Sequence, residues 1–181
     1  MDTAFTSETR NVFNTAGLSV YDRLVLHGLA PHVWHCPPDR LVRFYHQHAS
    51  DRHLDIGVGT GYCLDRCYPP ERRPVLTLLD SRPRCLEYAA RRLARYDVHP
   101  LEQDIRDPLP EGAGPFDSIG LGGVLHCVPG DFAADSEKAG VLRRLASALN
   151  SGGVMFGYTL VNDDVAERAA SRLTWAALNA A

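Results

Sequence analysis

Short apolar runs alternate with stretches of helical periodicity from residue 53 onward. The runs, several of them bounded by glycines, predict five buried strands at residues 53–58, 75–79, 99–103, 118–124 and 153–161. Apolar positions at helical spacing predict helices at residues 61–68, 83–96 and 136–150. Pro83 falls where a helix tolerates proline, and Ser136 is a typical N-cap. This alternation predicts an α/β fold, a Rossmann-like doubly wound sheet of about five mainly parallel strands with flanking helices.

The first fifty residues have a different pattern. Residues 1–50 combine polar helical patterns, prolines and a stretch rich in aromatic residues and histidines, which predicts an N-terminal helical cap or lid. The length of 181 residues fits one domain, so residues 51–181 are expected to form the ligand-binding core of a single globular unit. Residues 163–181 predict a last amphipathic helix.

The central chemical signal is the segment DIGVGTG, which lies between the first strand and the first helix of the core. Gly57, Gly59 and Gly61 let the backbone turn tightly and approach a ligand beside a helix N-terminus. A dinucleotide-binding loop would place its third glycine one position later, where this chain has Tyr62, so a pyrophosphate is disfavoured. A nicotinamide oxidoreductase is therefore a weaker alternative. Asp55, which precedes the first glycine, suits a cationic amino group.

Two further acids are predicted to close neighbouring strands. Asp80 closes the second strand, where a carboxylate can accept both hydroxyl protons of a ribose. Asp104 closes the third strand, where it could accept a hydrogen bond from an adenine amino group while Ile105 packs on the ring. Each acid alone could be a solvated carboxylate at a strand end, but the two spacings together with the glycines favour a nucleoside-containing ligand.

These motifs, together with FDSIGLGGVLHCVPG and LNSGGVMFGYTL, resemble the ordered motifs of class I S-adenosylmethionine-dependent methyltransferases over about residues 52–162. The resemblance implies S-adenosylmethionine as the methyl donor and S-adenosylhomocysteine as its product. It also implies these donor-binding residues: Asp55 on the methionine side, Gly57, Gly59 and Gly61 in the loop, Asp80 with Ser81 at the ribose, Asp104 and Ile105 at the adenine, and Leu121 and Gly122 beside the sulfonium.

The opening YDRLVLHGLAPHVWHCP and the stretch LHCVPG resemble a bacterial subgroup of small-molecule methyltransferases, often found in secondary metabolism. This resemblance implies that Tyr21 and Trp34 close over the donor, and an aromatic wall near a sulfonium is physically favourable. It implies methyl transfer to a small-molecule acceptor, with in-line positioning as the main contribution of the protein.

His126 is the candidate general base, because the pKa of a histidine can be tuned near neutrality. A packed, hydrogen-bonded histidine is an equally acceptable interpretation of the same residue. Cys127 is a weak candidate nucleophile, since nothing nearby would lower its pKa. His32 and His35 are candidate substrate-pocket residues. No metal site is expected from the irregular spacing of the amino-terminal histidines.

Composition narrows the range of partners. A net charge of −3 argues against nucleic acid, and the absence of an apolar stretch of membrane-spanning length argues against a membrane, so a soluble, cytoplasmic protein is expected. Five cysteines without a paired motif are expected to be reduced thiols. The sequence leaves open whether the protein forms a homodimer.

The carboxyl-terminal pattern departs from the family. Its sheet usually ends with two further strands in an antiparallel hairpin, and nothing after Val161 has strand character, so the usual C-terminal β-hairpin is expected to be missing. The leading alternative is therefore a non-catalytic domain of the same fold that binds S-adenosylmethionine or a partner.

Overall fold

The computed structural model describes residues 18, 20–33 and 35–159. The described residues divide into two compact units, one that ends at Leu41 and one that runs from Val42 to Thr159. The sequence-based division into residues 1–50 and 51–181 stays a prediction. The predicted helix over residues 163–181 lies outside the described residues.

The amino-terminal unit is helical. A π-helix, α1 (Asp22–Leu29), continues into α2 (Ala30–Val33), and α3 (Pro38–His48) begins in this unit and ends in the second. Pro38 occupies the first position of α3, where a missing N–H costs no helical hydrogen bond. His35 takes a positive φ of 50° between α2 and α3. Pro37 precedes α3, whereas Pro31 lies inside α2 and does not interrupt the helical run from α1.

Five strands form one parallel sheet with the order β3-β2-β1-β4-β5. The strands are β1 (Arg52–Ile56), β2 (Val75–Asp80), β3 (Asp97–Glu102), β4 (Phe116–Gly122) and β5 (Leu149–Tyr158). The chain runs outward from β1 to β3 and then returns to the other side of β1. The strand order therefore reverses beside β1, the position where ligands bind in open α/β sheets.

Three helices connect these strands. They are α4 (Tyr62–Cys67), α5 (Pro83–Arg92) and α6 (Glu137–Ser147), and a 3₁₀ turn at Leu125–Cys127 follows β4. The hydroxyl of Ser136 accepts a hydrogen bond from the Ala139 N–H at 3.1 Å and so caps α6 as predicted. Within the described ranges, no helix is long and apolar enough to cross a membrane.

Both faces of the sheet are packed, which confirms the doubly wound fold. On one face, Leu54 and Ile56 of β1 pack in a cluster that includes Val141 and Leu145 of α6. On the other face, a second cluster joins buried residues of α3, α4 and α5 to β2 and β5: Tyr45, Leu64, Leu86, Leu76, Leu78 and Phe156. Side chains of β1 alternate between the two faces, so His53 and Asp55 point toward the α3 side.

Most element boundaries differ from the sequence-based ones by a few residues, and three of the differences affect the predicted elements or site residues. The helix predicted over 83–96 ends at Arg92, where the backbone leaves the helical region at Leu93. The third strand ends at Glu102, so Asp104 lies in the following loop and does not close the strand. The fifth strand begins at Leu149, before the predicted start at residue 153. Leu149 pairs with Phe116 of β4, and the register shifts between this pair and the pair of Ser118 with Val154.

Gly61 joins the glycine loop to α4, and it determines how closely α5 can pack. Its φ is +70°, and a Cβ there would lie 3.3 Å from both the Ala89 Cβ and the Leu93 Cδ1. We expect Gly61→Ala to lower the free energy of unfolding by about 1–3 kcal/mol, from backbone strain and overpacking. Urea unfolding measures this change.

Gly140→Ala is the matched control for this substitution. Gly140 lies inside α6, and a Cβ there would meet only arginine side-chain ends at 3.6 Å or more. This variant should gain about 0.5–1 kcal/mol, because alanine is the better helix former. Equal stability of Gly61→Ala and the unaltered chain would contradict the close packing of the loop on α5.

Candidate functional site

The glycine loop follows β1 at the carboxyl edge of the sheet. Gly57, Gly59 and Gly61 have φ values of 69°, 53° and 70°, which other residues adopt only with strain. The Gly57 N–H donates to the Leu79 carbonyl at 2.8 Å and ties the loop to β2. Arg92 of α5 donates to the Thr60 carbonyl at 2.9 Å. These hydrogen bonds to β2 and from α5 therefore hold the loop in place at the ends of the strands.

Asp80 ends β2 beside this loop and is 6% exposed. The Arg82 N–H donates to its Oδ1 at 3.0 Å, and the Gly59 N–H lies 3.4 Å from its Oδ2. Burial raises the pKa of the Asp80 carboxyl, and these backbone donors partly oppose that rise. Each oxygen still has a lone pair to accept a further hydrogen bond, as two vicinal hydroxyls would require.

Asp55 is 4% exposed and lies on β1 next to the loop. The hydroxyl of Tyr45 donates to its Oδ1 at 2.9 Å, and His53 Nε2 lies 3.5 Å from the same oxygen. Burial and then the Asp55 carboxylate raise the pKa of the Tyr45 hydroxyl, which keeps it protonated as a donor. Among the described residues, none donates a hydrogen bond to Oδ2 of Asp55, and this atom is not fully buried.

Small residues of β4 provide the space for these polar groups. A Cβ on Gly120 would lie 2.7 Å from the Asp55 Oδ1, and a Cβ on Gly122 would lie 2.5 Å from the Tyr45 hydroxyl oxygen. Contacts this short do not occur between real side chains, so larger residues at these two positions would displace the Asp55 carboxylate and Tyr45. The glycines of β4 therefore determine the placement of Asp55.

Asp104 and Ile105 lie in the loop after β3. Arg106 holds the Asp104 carboxylate with two side-chain hydrogen bonds of 2.9 and 2.7 Å and with its backbone N–H at 2.9 Å. These bonds lower the pKa of the Asp104 carboxyl. Ile105 packs against the α6-side cluster and lines a cavity of about 450 Å³ beside α6. No motif in the sequence predicts the contact between Arg106 and Asp104.

His126 lies in the 3₁₀ turn after β4 and is half-buried. Burial, and then the positive charge of Lys138, lowers the pKa of the imidazole from its usual 6.5, so the ring is neutral at neutral pH. Its Nδ1 lies 3.4 Å from the Thr159 hydroxyl oxygen. The pKa of the neighbouring Cys127 thiol is raised by partial desolvation, although the residue as a whole is exposed, which disfavours a nucleophilic role.

The remaining predicted residues are more dispersed. Ser81 is exposed in the turn after Asp80, Leu121 is buried in β4 and Gly122 is half-buried at the end of that strand. Tyr21 lies in the amino-terminal unit, and its role stays a prediction. Trp34 lies outside the described residues. In the described part of the chain, no group of three or more His, Cys, Asp or Glu side chains could hold a metal ion.

Tyr45 and His53 contact Asp55, and Ser118 contacts His53, but none of the three was predicted from the sequence. Tyr45 belongs to a helix with no distinctive motif, and His53 and Ser118 lie inside predicted strands where apolar residues are the rule. One signal was available. Glycines at positions 120 and 122 of the same strand leave one face bare, which indicates that bulky side chains from elsewhere fill that space.

Comparisons with known proteins identify the family of this chain. A family model described as a methyltransferase domain matches residues 54–155. Demethylluteothin O-methyltransferase of Streptomyces thioluteus is 40% identical over 162 residues, which are 90% of this chain and 69% of that protein. The physcion biosynthesis cluster O-methyltransferase of Aspergillus chevalieri is 35% identical over 156 residues, which are 85% of this chain and 68% of that protein.

Solved structures share the fold. The N-methyltransferase NodS from Bradyrhizobium japonicum, in complex with S-adenosyl-L-homocysteine, aligns with a TM-score of 0.57 and 21% identity. The alignment covers 86% of this chain and 72% of NodS. Since the family model matches more than half of the chain and the curated relatives exceed 30% identity, the chain belongs to the class I S-adenosylmethionine-dependent methyltransferases.

Proposed function

We propose that this methyltransferase binds its donor across the carboxyl ends of β1, β2 and β4 and methylates a hydroxyl group of a small secondary metabolite. The Asp55 carboxylate carries the proposal. One of its oxygens is held by Tyr45, and the other, which no described residue engages, is available to the ammonium group of the donor. Because this oxygen has no protein donor and is not fully buried, a cationic group can reach it, so the site fits the amino-acid end of S-adenosylmethionine.

The remaining predicted contacts follow from this anchor. Asp80 at the next strand end would accept the ribose hydroxyls, with Ser81 beside it and the glycine loop, Gly57 to Gly61, along the donor backbone. Beyond β3, Asp104 would accept from the adenine amino group and Ile105 would pack on the ring. Leu121 and Gly122 would flank the sulfonium. Tyr21 and Trp34 are proposed to close over the donor.

The bound donor supplies an electrophilic methyl group on a sulfonium. The protein's part is to hold the acceptor oxygen in line with the methyl carbon and sulfur, and to exclude water. For a hydroxyl acceptor, a neutral His126 can take up the hydroxyl proton. When Nδ1–H faces the Thr159 hydroxyl, Nε2 carries the lone pair that accepts the proton.

Two features support a hydroxyl on a small acceptor. The two curated relatives described above are named O-methyltransferases, one of demethylluteothin and one in physcion biosynthesis. The lowered pKa of His126 keeps the imidazole neutral at physiological pH, so it can take up the proton that a hydroxyl acceptor loses on methylation.

The direct test combines calorimetry with a product assay. The chain is titrated with S-adenosylmethionine and S-adenosylhomocysteine and then incubated with S-adenosylmethionine and a panel of phenols and polyketides. Micromolar binding with acceptor-dependent accumulation of S-adenosylhomocysteine supports the proposal. Binding without turnover on any acceptor would favour the non-catalytic alternative, and no binding would contradict the donor site.

Asp80→Asn should weaken binding of S-adenosylhomocysteine by about 10- to 100-fold, because an amide cannot accept from two hydroxyls as a carboxylate can. Calorimetric titration gives the dissociation constants. Asp117→Asn is the matched control. Asp117 lies at the opposite end of β4, where it accepts a hydrogen bond from Asn150 at 2.6 Å. The control should bind as the unaltered chain does, and equal losses in the two variants would contradict a ribose contact.

His126→Gln should lower kcat/KM by about 10²- to 10⁴-fold with a phenolic acceptor, the usual contribution of a general base. Since the pKa of His126 is lowered, the unaltered enzyme should lose kcat/KM as pH falls through a value below 6.5, where the ring becomes protonated. Stopped assays across pH 5–9 measure this limb.

Lys138→Met provides the internal check on that limb. Removal of the Lys138 charge should raise the pKa of His126 and move the acid limb to higher pH. An acid limb that persists unchanged in His126→Gln would contradict the role of His126 as base.

A further inference from the structure

A buried polar chain runs from the start of β1 to Asp55. The Ser50 N–H donates to the Ser118 hydroxyl oxygen at 2.8 Å, and this hydroxyl lies 2.7 Å from His53 Nδ1. Both side chains, Ser118 and His53, are 0% exposed. His53 is also stacked on Phe156 at 5.7 Å between ring centroids. The histidine therefore has one orientation, fixed by packing and by one hydrogen bond.

The direction of the hydrogen bonds in this polar chain determines which nitrogen of His53 carries the proton. A backbone N–H can only donate, so the Ser118 oxygen accepts from Ser50 and its own proton needs another acceptor. His53 Nδ1 is the acceptor within reach, and buried hydroxyls are nearly always satisfied. This pairing assigns the acceptor role to Nδ1 and leaves the ring N–H on Nε2.

His53 Nε2 lies near the Asp55 carboxylate but makes no hydrogen bond to it. His53 Nε2 lies 3.5 Å from Asp55 Oδ1, beyond the usual 2.7–3.2 Å of an N–H···O bond. Within the described part of the chain, Nε2 and the Tyr96 hydroxyl are the buried side-chain polar atoms without a hydrogen-bond partner. A displacement of the carboxylate by a few tenths of an ångström would bring the two atoms within the usual hydrogen-bond distance.

We propose that His53, oriented by Ser118, is a positioning residue for the amino group of the methyl donor. Its Nε2–H and the Tyr45 hydroxyl hold Oδ1 of Asp55 from two directions, so that Oδ2 faces the ammonium group of the ligand. The inference rests on the proposed donor site and deepens it. His53 does not touch the donor and acts through the carboxylate alone.

The test compares two ligands that differ in the group concerned. S-adenosylhomocysteine carries the amino-acid group, whereas 5′-methylthioadenosine has the same adenosine and thioether without it. Calorimetry gives the ratio of their dissociation constants for each variant. A general loss of structure weakens both ligands, but loss of carboxylate orientation weakens only S-adenosylhomocysteine.

His53→Leu should reduce the preference for S-adenosylhomocysteine by about tenfold, the usual effect of one hydrogen bond to a charged group. His53→Gln should retain most of the preference, because its side-chain amide N–H can reach the position of Nε2. Ser118→Ala tests the same device without removal of the ring, and should reduce the preference by a smaller factor because the tautomer is no longer fixed. It also keeps the inference testable should His53→Leu fail to fold.

Tyr96→Phe is the matched control. It removes the other buried side-chain polar atom that lacks a partner in the described part of the chain, and it leaves Asp55 and His53 unchanged. It should leave the ratio unchanged. An unaltered ratio in both His53→Leu and Ser118→Ala, in a chain that binds both ligands, overturns the inference alone. Failure of the unaltered chain to bind either ligand overturns the proposed donor site and the inference together.

Discussion

Burial of the Asp55 carboxylate is the constraint on which the rest of the site depends. A carboxylate removed from water costs several kcal/mol unless hydrogen bonds replace its hydration. Tyr45 of α3 donates one such bond, the imidazole of His53 lies 3.5 Å from the same oxygen, and Gly120 of β4 leaves the space that the carboxylate occupies. The face of the sheet that α3 covers therefore carries polar side chains, Asp55 and His53, beside its apolar cluster.

The two acids at neighbouring strand ends are prepared in the same manner. Asp55 and Asp80 are both nearly buried, and each has oxygens oriented by protein donors while retaining the capacity to accept from a ligand. The glycine loop lies between them and is tied to β2 by the Gly57 N–H. Orientation before binding is favourable in a reaction whose rate depends on alignment, because the ordering cost is already met during folding.

Much of this arrangement could be predicted from local sequence signals. Apolar runs located all five strands, Ser136 and Pro83 located helix starts, and the glycines with Asp80 located the loop and the second strand end. These signals act over a few residues. The polar chain through His53 joins side chains far apart in sequence, and the engagement of Asp104 by Arg106 depends on rotamers, so neither follows from periodicity. The irregular register at the start of β5 depends on pairing with β4, which is distant in sequence, so local sequence signals do not predict it.

The strand order β3-β2-β1-β4-β5 has a consequence for how the protein acquires its function. β2 and β3 follow β1 directly, so their pairing closes short loops and is expected to come early in folding. That partial sheet already holds the glycine turn and Asp80. The polar cluster around Asp55 needs β4, which closes a much longer loop onto the other side of β1. A chain in which only β1 to β3 are paired would thus carry half of the proposed donor site, and the proposed contact with the amino group of the donor would form only when β4 docks.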